Sequence, residues 1–302
     1  MPFHTKRKAG ANLFLFSMKK CAILIFVFLT TFLCITLPCH AQRLNVMSFN
    51  IRYQNKQDGN NAWVYRKDNV VYFLNEHHPD VFGLQEVLDE QYIFLCNNLS
   101  DYAAVGVGRD DGMRKGEYMP VFFLKNRYKL IDSGTFWLSE TPNEVSRGWD
   151  AACNRICTWV ILKHRKSGKR FLFACTHLDH KGKTSRSNAA ILIKQRLESI
   201  SSGLPIVLVG DFNVSEKSEV YETMCSKPYA FNDTWKVAQK CEGLTYTFNG
   251  FGKYDATNGN KIDYIFVSPG MKIKNATIFD SHIAEGRYLS DHNAIWAEIE
   301  EY

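Results

Sequence analysis

The chain of 302 residues has only eight prolines, and from Leu44 onward it has no low-complexity tract, no internal repeat and no linker rich in proline, glycine or serine. Its 45% hydrophobic and 14% aromatic residues are enough to bury a core of globular size. These features exclude a disordered chain, a collagen and a coiled coil. The simplest organisation is one domain at residues 42–302.

Acidic residues are absent from the first 41 positions, which hold five of the 37 Lys and Arg residues. Removing those five leaves 32 basic against 31 acidic residues, so most of the formal charge of +6 comes from this segment. The remaining chain is nearly neutral. That balance argues against tight non-specific binding of a nucleic acid duplex, because such affinity comes mainly from phosphate neutralisation.

A long uncharged apolar run at residues 21–39 follows Lys19 and Lys20. A basic start, an apolar run and a small residue at Ala41 are the pattern of a secretory signal peptide. The sequence therefore predicts a signal peptide at residues 1–41, cleaved after Ala41. We expect the mature protein to be exported, and to be periplasmic, attached to the cell surface or secreted.

Other interpretations of this segment remain open. Met18 could begin the signal peptide by itself, which would make residues 1–17 an upstream extension. A membrane anchor needs about 20 apolar residues, which the run barely reaches. A lipoprotein is disfavoured because Pro38, directly before Cys39, is not the small residue expected there.

The sequence has no Cys-x-x-Cys pair, although it has nine cysteines, three of them before residue 42. The six that remain permit disulfides in an oxidising compartment, but a domain of this size does not depend on them. Cys153 and Cys157 lack the second pair that a zinc knuckle needs, so we expect small buried residues there. The disulfide pairing stays open.

Runs of apolar and β-branched residues alternate with helical patterns along the chain. Strands are predicted at residues 44–50, 80–85, 121–124, 156–163, 170–176, 205–209, 262–267 and 294–298. Helices are predicted at residues 66–76, 89–97 and 187–201. Several strands are apolar at successive positions, which indicates burial on both faces. The predicted class is α/β, with a layered sandwich architecture.

Polar residues stand at the end of one predicted strand after another, or where the next strand begins. These residues are Asn50, Glu86, His177, Asp211, Asn213, Asp263, Asp291 and His292. Each has an ordinary explanation when taken alone: Glu86 as a surface glutamate, and Asp211 with Asn213 as a turn with a side-chain cap. Their repetition at strand ends favours a shared site.

Six sequence blocks in this order resemble the endonuclease/exonuclease/phosphatase superfamily of metal-dependent phosphoesterases. The blocks are Met47-Ser48-Phe49-Asn50, Asp80-Val81-Phe82-Gly83-Leu84-Gln85-Glu86-Val87, Thr176-His177-Leu178, Gly210-Asp211-Phe212-Asn213, Ile262-Asp263-Tyr264-Ile265 and Ser290-Asp291-His292. The match runs from Leu44 to about Glu300. The resemblance implies the fold of pancreatic deoxyribonuclease, a four-layer α/β/β/α sandwich of two packed mixed β-sheets.

The resemblance also implies a metal centre. Glu86 matches the principal metal ligand of the superfamily, Asn50 helps to hold the metal or the phosphate, and Asp291 faces the metal region. Carboxylate and amide oxygens of this kind suit Mg²⁺ or Mn²⁺.

The remaining site residues take catalytic roles by the same resemblance. Asp211 matches the residue that orients or deprotonates the attacking water, and Asn213 supports it or binds a phosphate oxygen. His177 and His292 flank the phosphate and donate hydrogen bonds to its oxygens.

A carboxylate partner is implied for each of these histidines. Asp263 is the partner that the resemblance gives to His292. The segment around Glu117 resembles the pancreatic-type deoxyribonucleases, in which a glutamate supports the histidine that corresponds to His177.

The substrate is less readable, because function within a fold depends on its loops. We expect phosphodiester cleavage by a nuclease-like centre. We also expect a monomer without an obligate protein partner. One alternative is a phosphodiesterase or phosphatase that acts on a phospholipid or a sugar phosphate, for which exposed aromatic residues at 248–251 would be diagnostic. The other is a non-catalytic binding module. Arg109, Trp149 and His180 are further candidates for substrate contact.

Overall fold

The computed structural model describes residues 43–284 and 286–302. The predicted signal peptide lies outside these residues, so it stays a prediction. Within the described part, no helix has the combination of length and apolar character that crossing a membrane requires.

The strands and helices follow the order that the sequence predicts, with several additions. The strands are β1 (Leu44–Asn50), β2 (Val81–Gln85), β3 (Tyr102–Val105), β4 (Val121–Leu124), β5 (Tyr128–Trp137), β6 (Ile156–His164), β7 (Arg170–His177), β8 (Ile206–Asp211), β9 (Asn232–Asp233), β10 (Lys240–Gly243), β11 (Asp263–Val267), β12 (Lys272–Ile278), β13 (His282–Ala284), β14 (Arg287–Tyr288) and β15 (Ile295–Glu301). The helices are α1 (Trp63–His77), α2 (Asp89–Asn98), α3 (Lys183–Ser201), α4 (Glu219–Cys225) and α5 (Thr234–Val237), with a 3-10 helix at Lys56–Asn61.

Two mixed sheets form the centre of the fold. One has seven strands in the order β10-β12-β15-β1-β2-β4-β3, and the other has six in the order β5-β6-β7-β8-β11-β9. Strands β1 and β2 are parallel, as are β7 and β8, while β11 is antiparallel to β8 and β15 to β1. Strands β13 and β14 form a separate pair.

The two sheets pack face to face, with β1 and β2 against β7 and β8. Alternate side chains of the six-stranded sheet explain how both of its faces are buried. Phe171 and Phe173 of β7 join the core between the sheets, whereas Leu172 and Ala174 join a second core on the outer face. This period of two is the geometry of a β-strand.

Helices complete the four layers. Val70 and Leu74 of α1 and Leu95 of α2 join the larger core on the side of the seven-stranded sheet. Ile193 and Leu197 of α3 belong to the core on the outer face of the six-stranded sheet. The predicted α/β/β/α sandwich is confirmed.

A glycine permits the close approach of the sheets. A Cβ atom on Gly83 of β2 would lie 2.6 Å from a methyl group of Val209 and 2.7 Å from the sulfur of Cys175. Both residues belong to the facing sheet, so no larger residue fits at position 83 without displacing them.

Candidate active site

The ends of several strands bring the predicted site residues to one edge of the sandwich. Because β7 and β8 are parallel, His177 lies opposite Asp211, and the antiparallel pairing of β11 places Asp263 opposite Asp211 on the other side. In the second sheet, the parallel pairing of β1 and β2 places Asn50 opposite Gln85, directly before Glu86.

These strand ends open into a cavity of about 520 Å³. It is lined by Arg52, Tyr53, Glu86, Arg109, Glu117, Cys153, Arg155, His177, His180, Asp211, Asn213, Phe248, Ile262, Asp291 and His292. Asn50 and Asp263 are buried and do not line the cavity, but each is hydrogen-bonded to a residue that does, Asn50 to Asp211 and Asp263 to His292. Trp149, a candidate for substrate contact, is not among the lining residues, whereas Arg109 and His180 are.

Two of the predicted site residues have a left-handed backbone. Glu86 has φ of 61° and Asn213 has φ of 51°. Such values are uncommon for residues other than glycine and cluster at ligand sites, where the surrounding structure holds the strain. The turns after β2 and β8 therefore place these two side chains at some cost to local stability.

Glu86 and Asp291 place two carboxylates in the cavity with one guanidinium near both. Arg52 Nη1 lies 3.8 Å from Glu86 Oε2, and Arg52 Nε lies 3.8 Å from Asp291 Oδ2. Burial raises the pKa of Asp291, and the negative charge of Glu86 adds to this while His292 opposes it. A pair of hard oxygen donors in mutual repulsion fits a divalent cation such as Mg²⁺ or Mn²⁺.

A second cluster, formed by Asp211, Asp263 and His292, also has its donor atoms within 4.8 Å of one another. Its chemistry does not suit a metal. Burial lowers the pKa of His292, but the charges of Asp263 and Asp211 outweigh that effect and raise it to about 10. A protonated imidazole cannot ligate a cation, so this cluster is a charged hydrogen-bonded group.

Asn50 connects two carboxylates of the site, Glu86 and Asp211. Its Nδ2 lies 3.0 Å from Glu86 Oε1 and 3.0 Å from Asp211 Oδ2. Its Oδ1 accepts a hydrogen bond from the backbone N–H of Arg52, at 3.0 Å. The amide nitrogen of Asn50 faces these carboxylates, and the expectation that Asn50 helps to hold the metal or the phosphate stays a prediction.

Asp211 is buried and contacts the backbone of Asn213 and the ring of His177. Burial, and then the negative charge of Asp263, raise the pKa of Asp211 to about 7. Its Oδ1 accepts the backbone N–H of Asn213 at 2.9 Å, and its Oδ2 lies 3.4 Å from His177 Nε2. A carboxylate with a pKa near neutrality is suited to accept a proton from water.

His177 is a neutral ring. Burial lowers the pKa of His177 well below its usual value, and the charges of Arg155 and Arg109 act in the same direction. Its Nε2 lies 3.0 Å from Asn213 Nδ2. Because the amide nitrogen is the donor, Nε2 accepts and the ring proton is on Nδ1, which is buried without a hydrogen-bond partner.

The expected support of His177 by Glu117 is wrong. Glu117 Oε2 accepts a hydrogen bond from Arg109 Nη1 at 2.6 Å, and the Nδ1 atom of His177 has no partner. The physical reason is that the loop before β4 brings Arg109 beside Glu117, and a guanidinium binds a carboxylate more strongly than a neutral ring does. Glu117 nevertheless lines the cavity.

The sequence prediction missed three arginines. Arg52 and Arg155 line the cavity, and Arg66 is fully buried beneath it. Arg52 stands two residues after Asn50, but it follows the end of β1 and has a left-handed backbone with φ of 58°, so the alternation of a strand does not predict where its side chain lies. Nothing in the local pattern marks Arg66 as buried, since it stands in an amphipathic helix where most arginines are solvated.

Known proteins resemble the chain over most of its length. The curated relatives include human Nocturnin, which is 26% identical over an alignment of 222 residues; the match covers 64% of this chain and 48% of Nocturnin. The chain thus spans about half the length of the curated relatives that it matches.

Two solved structures match more completely. An endonuclease/exonuclease/phosphatase from Bacteroides vulgatus is 42% identical, with a TM-score of 0.84 over 86% of this chain and 100% of that one. A mannosyl-6-phosphatase from Bacteroides thetaiotaomicron is 34% identical, with a TM-score of 0.81 over 85% of this chain and 99% of the other. The profile of the Endonuclease/Exonuclease/phosphatase family matches residues 47–292. The chain belongs to this family, whose members hydrolyse phosphoester bonds.

Proposed function

We propose that the protein is a divalent-metal-dependent phosphatase that hydrolyses a small phosphomonoester, with sugar phosphates as its substrate class. The observation that carries this proposal is the composition of the cavity. The residues of the phosphate-cleaving centre share it with polar side chains whose charges are balanced. Such a site suits one phosphate attached to an uncharged, hydroxyl-bearing group.

Glu86 and Asp291 would hold the cation, which we propose to be Mg²⁺ or Mn²⁺. When bound, it neutralises the phosphoryl oxygens and stabilises the leaving oxygen. Arg52, within 4 Å of both carboxylates, keeps these side chains ordered. Asn50 fixes Glu86 relative to Asp211 through its amide nitrogen.

The other residues of the site act on water and on the phosphate. In our proposal Asp211 accepts the proton of the attacking water, which its pKa of about 7 permits. Asn213, in the turn after β8, supports Asp211 and His177 beside that water, because its backbone N–H donates to Asp211 and its amide nitrogen donates to His177 Nε2 and to the carbonyl of Leu178. His292, held charged by Asp263, donates to a phosphoryl oxygen and stabilises the charge that develops there.

The sequence favoured phosphodiester cleavage, and this remains the second candidate. It is supported by relatives such as the 3′-5′ exoribonuclease subunit Ccr4 of Emericella nidulans, which is 29% identical over 39% of this chain. The mannosyl-6-phosphatase is similar over a much larger share of the chain. Phosphomonoester cleavage therefore takes precedence.

Hydrolysis by the purified protein tests the proposal. The substrates are mannose 6-phosphate, glucose 6-phosphate, p-nitrophenyl phosphate, bis-p-nitrophenyl phosphate, single-stranded RNA and DNA, and sphingomyelin, each with Mg²⁺, Mn²⁺ or EDTA. We expect sugar phosphates to be cleaved with the highest kcat/KM and EDTA to stop the reaction. Faster cleavage of RNA, DNA or sphingomyelin would overturn the assignment to sugar phosphates.

We also propose that the enzyme works outside the cytoplasm as a monomer. The support is the sequence pattern of residues 1–41 described above. N-terminal sequencing of the protein recovered from a cell envelope fraction tests the cleavage after Ala41, and light scattering of the purified protein tests its oligomeric state.

A further inference from the structure

One side of the cavity consists of paired polar groups that the hydrolytic mechanism does not use. Arg109 Nη1 lies 2.6 Å from Glu117 Oε2, and Arg155 Nη2 lies 3.1 Å from His180 Nδ1. All four side chains line the cavity. We refer to Arg109, Glu117, Arg155 and His180 as the polar wall.

The polar wall lies next to the phosphate-cleaving centre. The positive charges of Arg155 and Arg109 are close enough to His177 to act on its protonation. Phosphate bound between His177 and His292 would therefore have its leaving group within reach of this wall.

Two guanidinium nitrogens of the polar wall are buried without a hydrogen-bond partner. These are Arg109 Nε and Arg155 Nη1. Arg155 is only 3% exposed, and its other contact is to the buried carboxylate of Asp179, with Nε 3.4 Å from Oδ2. Buried donors are nearly always satisfied in proteins, so the two nitrogens leave hydrogen-bonding capacity for a water or a ligand at this side of the cavity.

The charge of the wall decides what that ligand is. Each guanidinium has its own carboxylate, Glu117 for Arg109 and Asp179 for Arg155. Burial, and then the charge of Arg155, lower the pKa of His180, so this ring is neutral. A second phosphate would meet no uncompensated positive charge here, whereas a hydroxyl group both donates and accepts hydrogen bonds and matches a neutral array of donors and acceptors.

A metal ion is a poorer occupant, although Cys153, Asp179 and His180 have donor atoms within 4.8 Å of one another. Both carboxylate oxygens of Asp179 already accept hydrogen bonds from backbone N–H groups, those of Ala152, Lys181 and Gly182. Arg155 donates to the same carboxylate and lies against the ring of His180. This cluster is a hydrogen-bonded frame that orients Arg155.

We infer that the polar wall is a specificity subsite that binds the hydroxyl groups of a sugar leaving group. This inference rests on the proposed phosphatase function and assigns the recognition of the sugar to Arg109, Glu117, Arg155 and His180. The side chain of Phe248 also lines the cavity and offers an apolar surface for the carbon skeleton of the sugar.

Substrate discrimination by variants of the wall tests the inference. We would measure kcat/KM of the wild type, Glu117→Gln and His180→Ala on mannose 6-phosphate, glucose 6-phosphate and p-nitrophenyl phosphate, whose leaving group carries no sugar hydroxyl. The expected result is a loss on the preferred sugar phosphate about tenfold larger than any loss on p-nitrophenyl phosphate, expressed mainly in KM. Glu216→Gln is the matched control, because it removes a carboxylate from another 2.6 Å ion pair, with Lys236, outside this cavity.

The outcomes separate the two hypotheses. A wild-type enzyme that cleaves sugar phosphates selectively, with variants that lose activity equally on all substrates, would overturn the subsite and leave the phosphatase function in place. A wild-type enzyme that does not cleave sugar phosphates would overturn the proposed function. Arg109→Lys provides a further variant, which keeps the positive charge but loses the planar guanidinium group. Its folding is checked by circular dichroism.

Discussion

His292 and Asp263 are joined by a buried hydrogen bond, with 2.9 Å between Nδ1 and Oδ2. Asp263 begins β11 of the six-stranded sheet, whereas His292 lies three residues before Ile295, where β15 of the seven-stranded sheet begins. The bond therefore connects the ends of the two sheets. His292, which we propose to be catalytic, acquires its partner, and with it its charge, only when the sheets have packed against each other.

This pair makes activity depend on pH in a predictable way. Asp263 raises the pKa of His292, so the ring stays charged until the pH rises through about 10. Asp263→Asn removes that charge and lowers the pKa. We expect kcat/KM to fall about 10 to 100-fold at neutral pH, as it does when other residues that hold a site residue in place are removed. We also expect the alkaline limb of the pH profile of kcat/KM to move to lower pH.

A pH profile of kcat/KM for the wild type and Asp263→Asn provides the measurement. An alkaline limb at the same pH in both proteins would show that Asp263 does not control the charge of His292. Circular dichroism must confirm that the variant is folded.

Glu86→Gln tests the cation site. Replacing a carboxylate by an amide weakens the attraction for a divalent cation, so we expect kcat to fall by about a thousandfold and Mn²⁺ affinity to fall with it. Mn²⁺ binding can be followed by electron paramagnetic resonance, independently of turnover. The exposed Glu90→Gln in α2 is the control and is expected to change neither quantity; unchanged Mn²⁺ binding in Glu86→Gln would refute the ligand assignment.

Arg66 supports the site from beneath. Its guanidinium donates to the carbonyl oxygens of Ile51, Arg52, Leu289 and Asn61. Arg66→Met would leave these carbonyls without their donor, and we expect it to lower the free energy of unfolding by about 3 kcal/mol.

Urea denaturation measures this effect. Tyr65→Met is the matched control, because the neighbouring side chain is 61% exposed and its removal should change stability little. If Arg66→Met and Tyr65→Met were equally stable, the role of Arg66 as a link between β1 and the segment before Asp291 would be disproved.

The contact between the sheets gives a prediction at Gly83. The Cβ atom in Gly83→Ala would meet Val209 at 2.6 Å, so we expect a loss of about 1 to 3 kcal/mol from overpacking. Adding Val209→Ala makes room for that methyl group and should restore part of the Tm in a thermal melt. A double variant no more stable than the sum of the two single losses would contradict this account.

Much of the fold was predictable because its signals are local. Each long apolar strand is encoded within a few residues, and each predicted strand and helix has a counterpart in the structure. The sequence prediction missed β5 because it is an edge strand with exposed positions such as Lys129 and Asp132, which do not form an apolar run.

The sequence by itself indicated which polar residues come together in the cavity, because they stand at or near strand termini and these termini meet at one edge of the sandwich. The tertiary structure decided their partners and charges. Glu117 pairs with Arg109 and not with His177, and the rings of His177 and His292 carry opposite protonation states although both are buried. These outcomes depend on burial and on charges brought together from distant parts of the chain, which no local pattern contains.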